Sequence, residues 1–225
     1  MIRNIVRLRE SVREAALRCG RNPEAIQVVL VTKAVSCERI LEAYEAGFRE
    51  FTENRVQEFE EKRKRLPEDI KWHMIGHLQI NKVKDLIGKT VLIHSLDRLE
   101  LASEIQKQAE KKGLAAVDCL IQVNSTGEPT KHGLRPDAVE DFAAQMRQPA
   151  IRFRGLMTIG PLTEDGEKIR QSFRSVRFLR ERLNARFPDI DWGILSMGMS
   201  GDYQIAIEEG ATLVRIGSAV FGPRG

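Results

Sequence analysis

Lys33 closes a run of apolar and β-branched residues, Val28-Val-Leu-Val-Thr-Lys33. A strand covered on both faces needs apolar side chains on both sides of its pleat. An ammonium costs free energy to desolvate, so a lysine here is either hydrated past the strand's end or held in a pocket. A pocket would lower its pKa and supply a neutral amine for imine formation. Alternation puts Lys33 on the side of Val29 and Val31, with Val28 and Leu30 opposite. Ser196-Met-Gly-Met-Ser200-Gly201 offers a second chemistry. It runs from an apolar segment into a predicted helix, where exposed backbone N–H groups and glycine suit an anion. Gly217 and Ser218 form another small, donor-rich turn. Asp202 lies in the same first helical turn and would repel a phosphate unless it points away. An ordinary serine N-cap with tight turns gives the same pattern. Arg215 alternates with Leu213 and Gly217. If that face is interior, its guanidinium, which keeps its proton, shares a cavity with Lys33; otherwise it pairs with an acid on a neighbouring strand. His73 and His77 are four apart, but Gly76 and the strand-like Trp72–Ile75 run break any helix between them. With no third ligand nearby, no metal site is expected there. No Ser-His-Asp set, Walker loop or GxGxxG is present.

Positioning these groups takes a repeating frame. Ile2, Ile5, Val6, Val12 and Ala16 predict a helix ending before Gly20 and Pro23. After the Lys33 strand come a helix to Gly47, a strand over 48–52, a charged helix over 53–65 and a strand over 72–76. A short helix over 80–87 and a strand over 91–96 follow. Asp97 is expected to cap the next helix, with Glu100 reaching back and Leu96 stapled on Leu101; Gly113 ends it. Strands over 118–124, 153–159, 194–199 and 212–218 alternate with helices over 136–146, 169–187 and 202–209. Eight such alternations predict a parallel sheet with helical crossovers. At 225 residues a single α/β domain over 1–225 is expected, a closed (β/α)8 TIM barrel with an extra N-terminal helix. An open doubly wound sheet shares the rhythm. No helix is predicted after the eighth strand, so the N-terminal helix is expected to cover that gap or the barrel floor. Active groups of such barrels lie at the C-terminal strand ends, where Lys33, Asn54, His77, Asn124, Ser200 and Arg215 all fall.

The chain carries 36 Lys plus Arg against 32 Asp plus Glu, net +4. The excess is spread over helices that also carry acids, as in Arg49–Arg65, so a solvated face is read rather than a nucleic-acid footprint. No segment has the ~20 apolar residues that span a membrane, and the N-terminus is amphipathic and charged rather than a signal peptide. Cys19, Cys37 and Cys119 form no CxxC pair, which suits a reducing, cytoplasmic setting. Cys37, near Lys33, is read as a small first-turn helix residue.

Several blocks together carry a resemblance from about Ile2 to Gly222: Val-Thr-Lys33-Ala, Glu53-Asn54-Arg-Val-Gln57-Glu58, His73-Met-Ile-Gly76-His-Leu78-Gln79-Ile-Asn81-Lys82, Gly155-Leu-Met157-Thr, Ser196-Met-Gly198-Met199-Ser200-Gly-Asp, and Val-Arg215-Ile-Gly217-Ser218 with Phe221-Gly222. In this order they resemble the pyridoxal-phosphate homeostasis protein family. Thr52 and Arg55 stand where that family often has Gly and Tyr, and His77 fills a variable slot. The resemblance implies a fold-type III barrel, like the N-terminal domain of alanine racemase, without its C-terminal β domain. It implies pyridoxal 5′-phosphate (PLP) held as an aldimine on Lys33. Ser200, Gly217 and Ser218 with nearby main-chain N–H groups would hold the phosphate, Arg215 would face the pyridine nitrogen, and Asn54 and Met199 would join the cofactor-binding set. The expected role is intracellular vitamin B6 homeostasis, binding PLP and related vitamers for buffering or for delivery to PLP-dependent apo-enzymes, as a monomer or weak homodimer. Efficient catalysis is not expected. A ring nitrogen facing arginine stays unprotonated and is a poor electron sink, and a racemase's second base comes from a β domain that this sequence does not carry. The competing expectation is a fold-type III enzyme such as an amino-acid racemase.

Overall fold

The buried runs become short parallel strands. In this computed structural model, which describes residues 1–146 and 149–223, eight strands close into one barrel in chain order. They are β1 (Gln27–Val31), β2 (Glu50–Glu53), β3 (Lys71–Met74), β4 (Leu92–Leu96), β5 (Val117–Val123), β6 (Ile151–Thr158), β7 (Ile194–Ser196) and β8 (Leu213–Ile216). The strand β8 returns parallel to β1, with Val29 opposite Arg215. The helices are α1 (Ile2–Arg18), α2 (Cys37–Glu45), α3 (Val56–Arg63), α4 (Val83–Leu86), α5 (Leu99–Lys111), α6 (Val139–Gln145), α7 (Gly166–Arg186), α8 (Tyr203–Glu208) and α9 (Ser218–Phe221). The closed barrel expected from the alternation is thus present, and the open sheet is not.

Alternation sorts each strand into two environments. Leu30, Phe51, Trp72, Ile93, Ile121, Leu195 and Val214 face the helices and join the outer core. Val29, Leu92, Leu120, Met157 and Leu213 form a separate apolar cluster inside the barrel, with Ile194 against it. Fully burying one such side chain is worth ~1.5–3 kcal/mol. The inner cluster shares the barrel interior with a few buried polar side chains, among them His73, His94, Ser196 and Arg215.

Some local expectations change. A one-turn helix, α9, follows β8 where none was predicted. The N-terminal helix lies beside the barrel seam rather than under the floor: Asn4 Nδ2 donates to Val220 O at 3.1 Å, Tyr203 Oη meets Ser11 Oγ at 2.7 Å, and Arg9 donates to Ala46 O at 2.9 Å. Its buried face is Ile5, Leu8, Val12, Ala15 and Ala16, while Ile2 and Val6 are exposed. Asp97 does not cap α5. Its carboxylate binds the neighbouring Arg98 at 2.6 Å, and the helix starts at Leu99 without a side-chain cap. Ion pairing outcompeted the cap because Arg98 is also tied to Leu78 O.

The helix α8 follows the Ser200 turn, and a buried carboxylate holds it against α7. Glu209 receives Arg170, Arg174 and Arg177 at 3.0, 3.1 and 3.5 Å, with its side chain only 5% exposed. Burial would raise its pKa, but Arg174 and Arg170 outweigh it and hold the carboxyl below its ordinary 4.5. A depressed carboxylate stabilises the fold above its unfolded pKa and loses that contribution as pH falls through the folded value. Glu209→Gln is therefore expected to cost about 1–3 kcal/mol at pH 7, with the gap closing in acid below 4.5. Urea titrations at neutral and acid pH measure it, and equal midpoints at pH 7 would refute the clamp.

Candidate cofactor site

The C-terminal ends of β1, β2, β7 and β8 bring most of the singled-out residues to one mouth. Lys33 is half-buried in the turn two residues past β1. The next residue, Ala34, has φ 58°, the one non-glycine residue with positive φ among those described. That conformation costs L-residues about 1 kcal/mol or more and persists only when surroundings enforce it.

What enforces it lies between the barrel wall and α3. Glu58 Oε2 accepts from Ala34 N–H at 2.9 Å. Lys62 Nζ donates to Thr32 O at 2.7 Å, to Glu53 Oε1 at 2.6 Å and to Glu58 Oε2 at 3.1 Å. Thr32 Oγ1 donates to the same Glu53 oxygen at 2.6 Å. Glu53 is fully buried, and desolvation keeps its pKa above the usual carboxylate value despite Lys62 and Thr32. The residues on either side of Lys33 are thus fixed by a buried cluster that composition alone does not reveal. Lys62 sits in a charged stretch read as a solvated face, yet it is 8% exposed. Its signal was spacing: Val56, Phe59 and Lys62 share one stripe of α3 with Phe59 buried.

Asn54 follows β2. Its Oδ1 is buried with no hydrogen-bond partner. Gly76 lies against its backbone so closely that a Cβ would come within 2.0 Å of Asn54 O, so only glycine fits there.

The Ser200 turn follows β7. Ser200 Oγ accepts from Gly217 N–H and Ala219 N–H, each at 3.2 Å, so both segments predicted to grip an anion do converge. Gly198, at φ 93°, starts the turn, where a Cβ would meet Ala206 Cβ at 2.6 Å. A Cβ on Gly201 would meet nothing within 4 Å, so the turn is open on that side. Met199 is 39% exposed at the rim. Asp202 turns away from this convergence: its Oδ1 accepts from Met199 N–H at 2.5 Å, and its other oxygen lies near Gly160. Burial raises its pKa. Ser218 begins α9 beside Gly217 and is exposed.

Arg215 points into the barrel, 2% exposed. NH1 donates to Ser196 O at 2.6 Å and Ser196 Oγ at 2.7 Å, and NH2 to Thr158 O at 2.8 Å. Among the described residues no carboxylate hydrogen-bonds to it; the charge of Asp202, in the turn after β7, acts on it without a direct bond. Burial lowers its pKa to about 10, which still leaves it charged at neutral pH.

Two residues at strand ends serve elsewhere. Asn124 ties its own loop, with Oδ1 accepting from Thr126 and Gly127 and Nδ2 donating to Glu128 O and Lys131 O. His73 and His77 do not meet: His73 is interior, whereas His77 stacks on His132 at 4.1 Å and lies 3.6 Å from Asp97. The ligand atoms of His77, Asp97 and His132 lie within 4.8 Å of one another, so His77 does have potential metal-ligating neighbours, brought to it by the fold and not by spacing in the sequence.

The sequence from residue 4 to 225 matches the family described as alanine racemase, N-terminal domain. A protein of Aquifex aeolicus called pyridoxal phosphate homeostasis protein is 46% identical over 97% of this chain and 96% of its own. PipY of Synechococcus elongatus, solved with and without PLP, is 34% identical and covers 94% of this chain and 99% of its own, with TM-scores of 0.81 and 0.84. Alanine racemase of Clostridium difficile shares the fold, at TM-score 0.72 and 16% identity, over 96% of this chain and 59% of its own. A barrel with these strand-end residues, matched along nearly its whole length, belongs to the pyridoxal phosphate homeostasis protein family.

Proposed function

We propose that this protein binds PLP at the barrel mouth as a Schiff base on Lys33, and that it buffers the cofactor or hands it to PLP-dependent apo-enzymes. Residues 1–225 act as one binding domain in this reading. The observation that carries it is the convergence at one mouth of the clamped Lys33 turn, the Ser200–Gly217–Ala219 donor cluster and a buried arginine held by neutral oxygens. The residues present fit the group. The N–H groups of Gly217 and Ala219 now share one hydroxyl at 3.2 Å, long for N–H···O bonds. A phosphate oxygen is a stronger acceptor. Ser200 and Ser218 would complete that grip beside the N–H groups of Gly217 and Ala219. The orphaned Asn54 Oδ1 is a buried acceptor awaiting a donor.

When bound, PLP supplies an aldehyde for imine formation and a pyridine ring that can delocalise carbanion charge. Arg215 governs that second capacity. A guanidinium that stays charged would donate to a ring nitrogen placed against it without giving up its proton, and an unprotonated ring would be a weak electron sink. The site therefore favours holding the cofactor over amino-acid chemistry. The rim position of Met199 and Ser218 leaves the phosphate end open to exchange.

Incubation with PLP followed by borohydride reduction and peptide mapping tests the reading. The expected result is one pyridoxyl label, on Lys33. Label spread over surface lysines, or none, would overturn it.

A further inference from the structure

Beneath the mouth, a row of hydrogen bonds leads from Arg215 through the barrel to its floor. Ser196 Oγ lies 2.7 Å from Arg215 NH1 and 2.9 Å from His94 Nδ1. His94 Nε2 lies 2.9 Å from His73 Nδ1, and His73 Nε2 lies 2.7 Å from Glu50 Oε2. Glu50 also meets Lys71 at 3.2 Å at the floor. Ser196 and His94 are fully buried, and His73 is 2% exposed.

The two ends of this row set its direction. A guanidinium has donors only and an ionised carboxylate acceptors only. Between Arg215 and Glu50 two neutral imidazoles therefore each carry the proton on Nε2, and the Ser196 hydroxyl accepts from Arg215 and gives its own proton to His94 Nδ1. An accepting Nδ1 puts the proton of a neutral His94 on Nε2, which donates to His73 Nδ1. His73 in turn carries its proton on Nε2 and gives it to the Glu50 carboxylate. Each group is satisfied, and the chain runs one way. Burial, then His73 and Arg215, push His94 well below its ordinary pKa. Burial would raise the Glu50 carboxyl, but His73 and Lys71 hold it below its ordinary range. A proton added to His94 would reverse the chain, face Ser196 Oγ with two donors and set a second cation beside Arg215.

We propose that Ser196, His94, His73 and Glu50 are positioning residues of the PLP site, a one-way hydrogen-bond chain that holds the Arg215 guanidinium in place for the cofactor. The proposal rests on the cofactor reading above. Its polarity, however, is a property of the apo-protein, and the test separates the two.

Nitrogen-15 histidine NMR on the apo-protein at neutral pH is expected to show His94 neutral and protonated on Nε2. Ser196→Ala leaves Arg215 its bond to the residue-196 carbonyl and removes the acceptor that fixes the tautomer. It is expected to let His94 sample the Nδ1–H form. It is also expected to speed PLP release about tenfold, the scale of one hydrogen bond to a charged group, and to shift the bound cofactor's absorbance, with borohydride still labelling Lys33. His94→Gln, read by the same release and absorbance measurements, guards against a folding defect in one variant. A charged or Nδ1-protonated His94 in the wild type overturns the chain's polarity. Wild-type release and absorbance in both variants, with Lys33 still labelled, overturns the positioning role alone. A wild-type protein that never takes up PLP overturns the cofactor reading and this role with it, whatever the tautomers show.

Discussion

Lys33→Ala is expected to yield a folded protein that stays colourless with PLP and takes no borohydride label. The imine is the covalent part of the proposed binding. What remains, the Arg215 guanidinium and the N–H groups around Ser200, can hold PLP only reversibly, so the cofactor should leave on gel filtration. Lys62, buried behind the same turn, does not replace it, because its Nζ already gives hydrogen bonds to three oxygens, two of them carboxylate. Stability should change by less than about 1 kcal/mol, because Lys33 lies in a half-exposed turn outside the strands. Thermal melts with and without PLP separate the effects. Wild-type protein gains stability from a ligand that binds only the folded state, and the variant should gain far less. A yellow, borohydride-labelled Lys33→Ala protein would remove the central assignment.

The mouth could be read from sequence because a parallel barrel makes chain order and spatial order coincide: consecutive strands are neighbours and all their C-terminal ends meet. Lys33, Asn54, Ser200 and Arg215 were therefore placed by finding strand ends. The inward side of β8 followed from alternation, since Leu213 joins the inner cluster and Arg215 shares its parity. Two kinds of information were not legible. The first is competition among polar partners. Asp97 has the sequence of a helix cap, but Arg98 claims it. Asn124 stands at a strand end, yet its loop consumes both ends of the amide. The second is pairing at long sequence separation. His94 and Ser196 are 102 residues apart and meet only because β4 and β7 face each other across the barrel. Neither His94 nor Glu50 is singled out by the sequence, and His73 is weighed there only as a partner for His77. Their mutual contact needed the register.

Lys62→Met should cause the larger loss of stability and should also loosen the Lys33 turn. Removing the ammonium strands Glu53, which is fully buried, has one oxygen already unpartnered, and would keep only Thr32 on the other. Breaking a buried pair from one side typically costs ~3–5 kcal/mol. The sign with pH follows from Glu53. Desolvation already raises its pKa, and without Lys62 the rise is larger. A carboxyl with a raised folded pKa binds its proton more tightly in the folded state, so stability falls as pH rises from the unfolded value through the folded one. The deficit of Lys62→Met should therefore be smallest in mild acid and grow toward neutral and alkaline pH. Replacing both partners, Lys62→Met with Glu53→Met, should recover most of the stability, because an apolar pair of similar volume needs no desolvation of charge. It should not recover the turn. Ala34 would still lack the network that orients Glu58 beneath its N–H, and Thr32 O would have lost its donor. The double variant should thus melt near the wild type while releasing PLP faster, a split that a purely structural ion pair does not produce. A single variant as stable as wild type at pH 7 would show that the cluster is not the anchor of this strand end, and a double variant with wild-type release would show that the Lys33 turn holds itself.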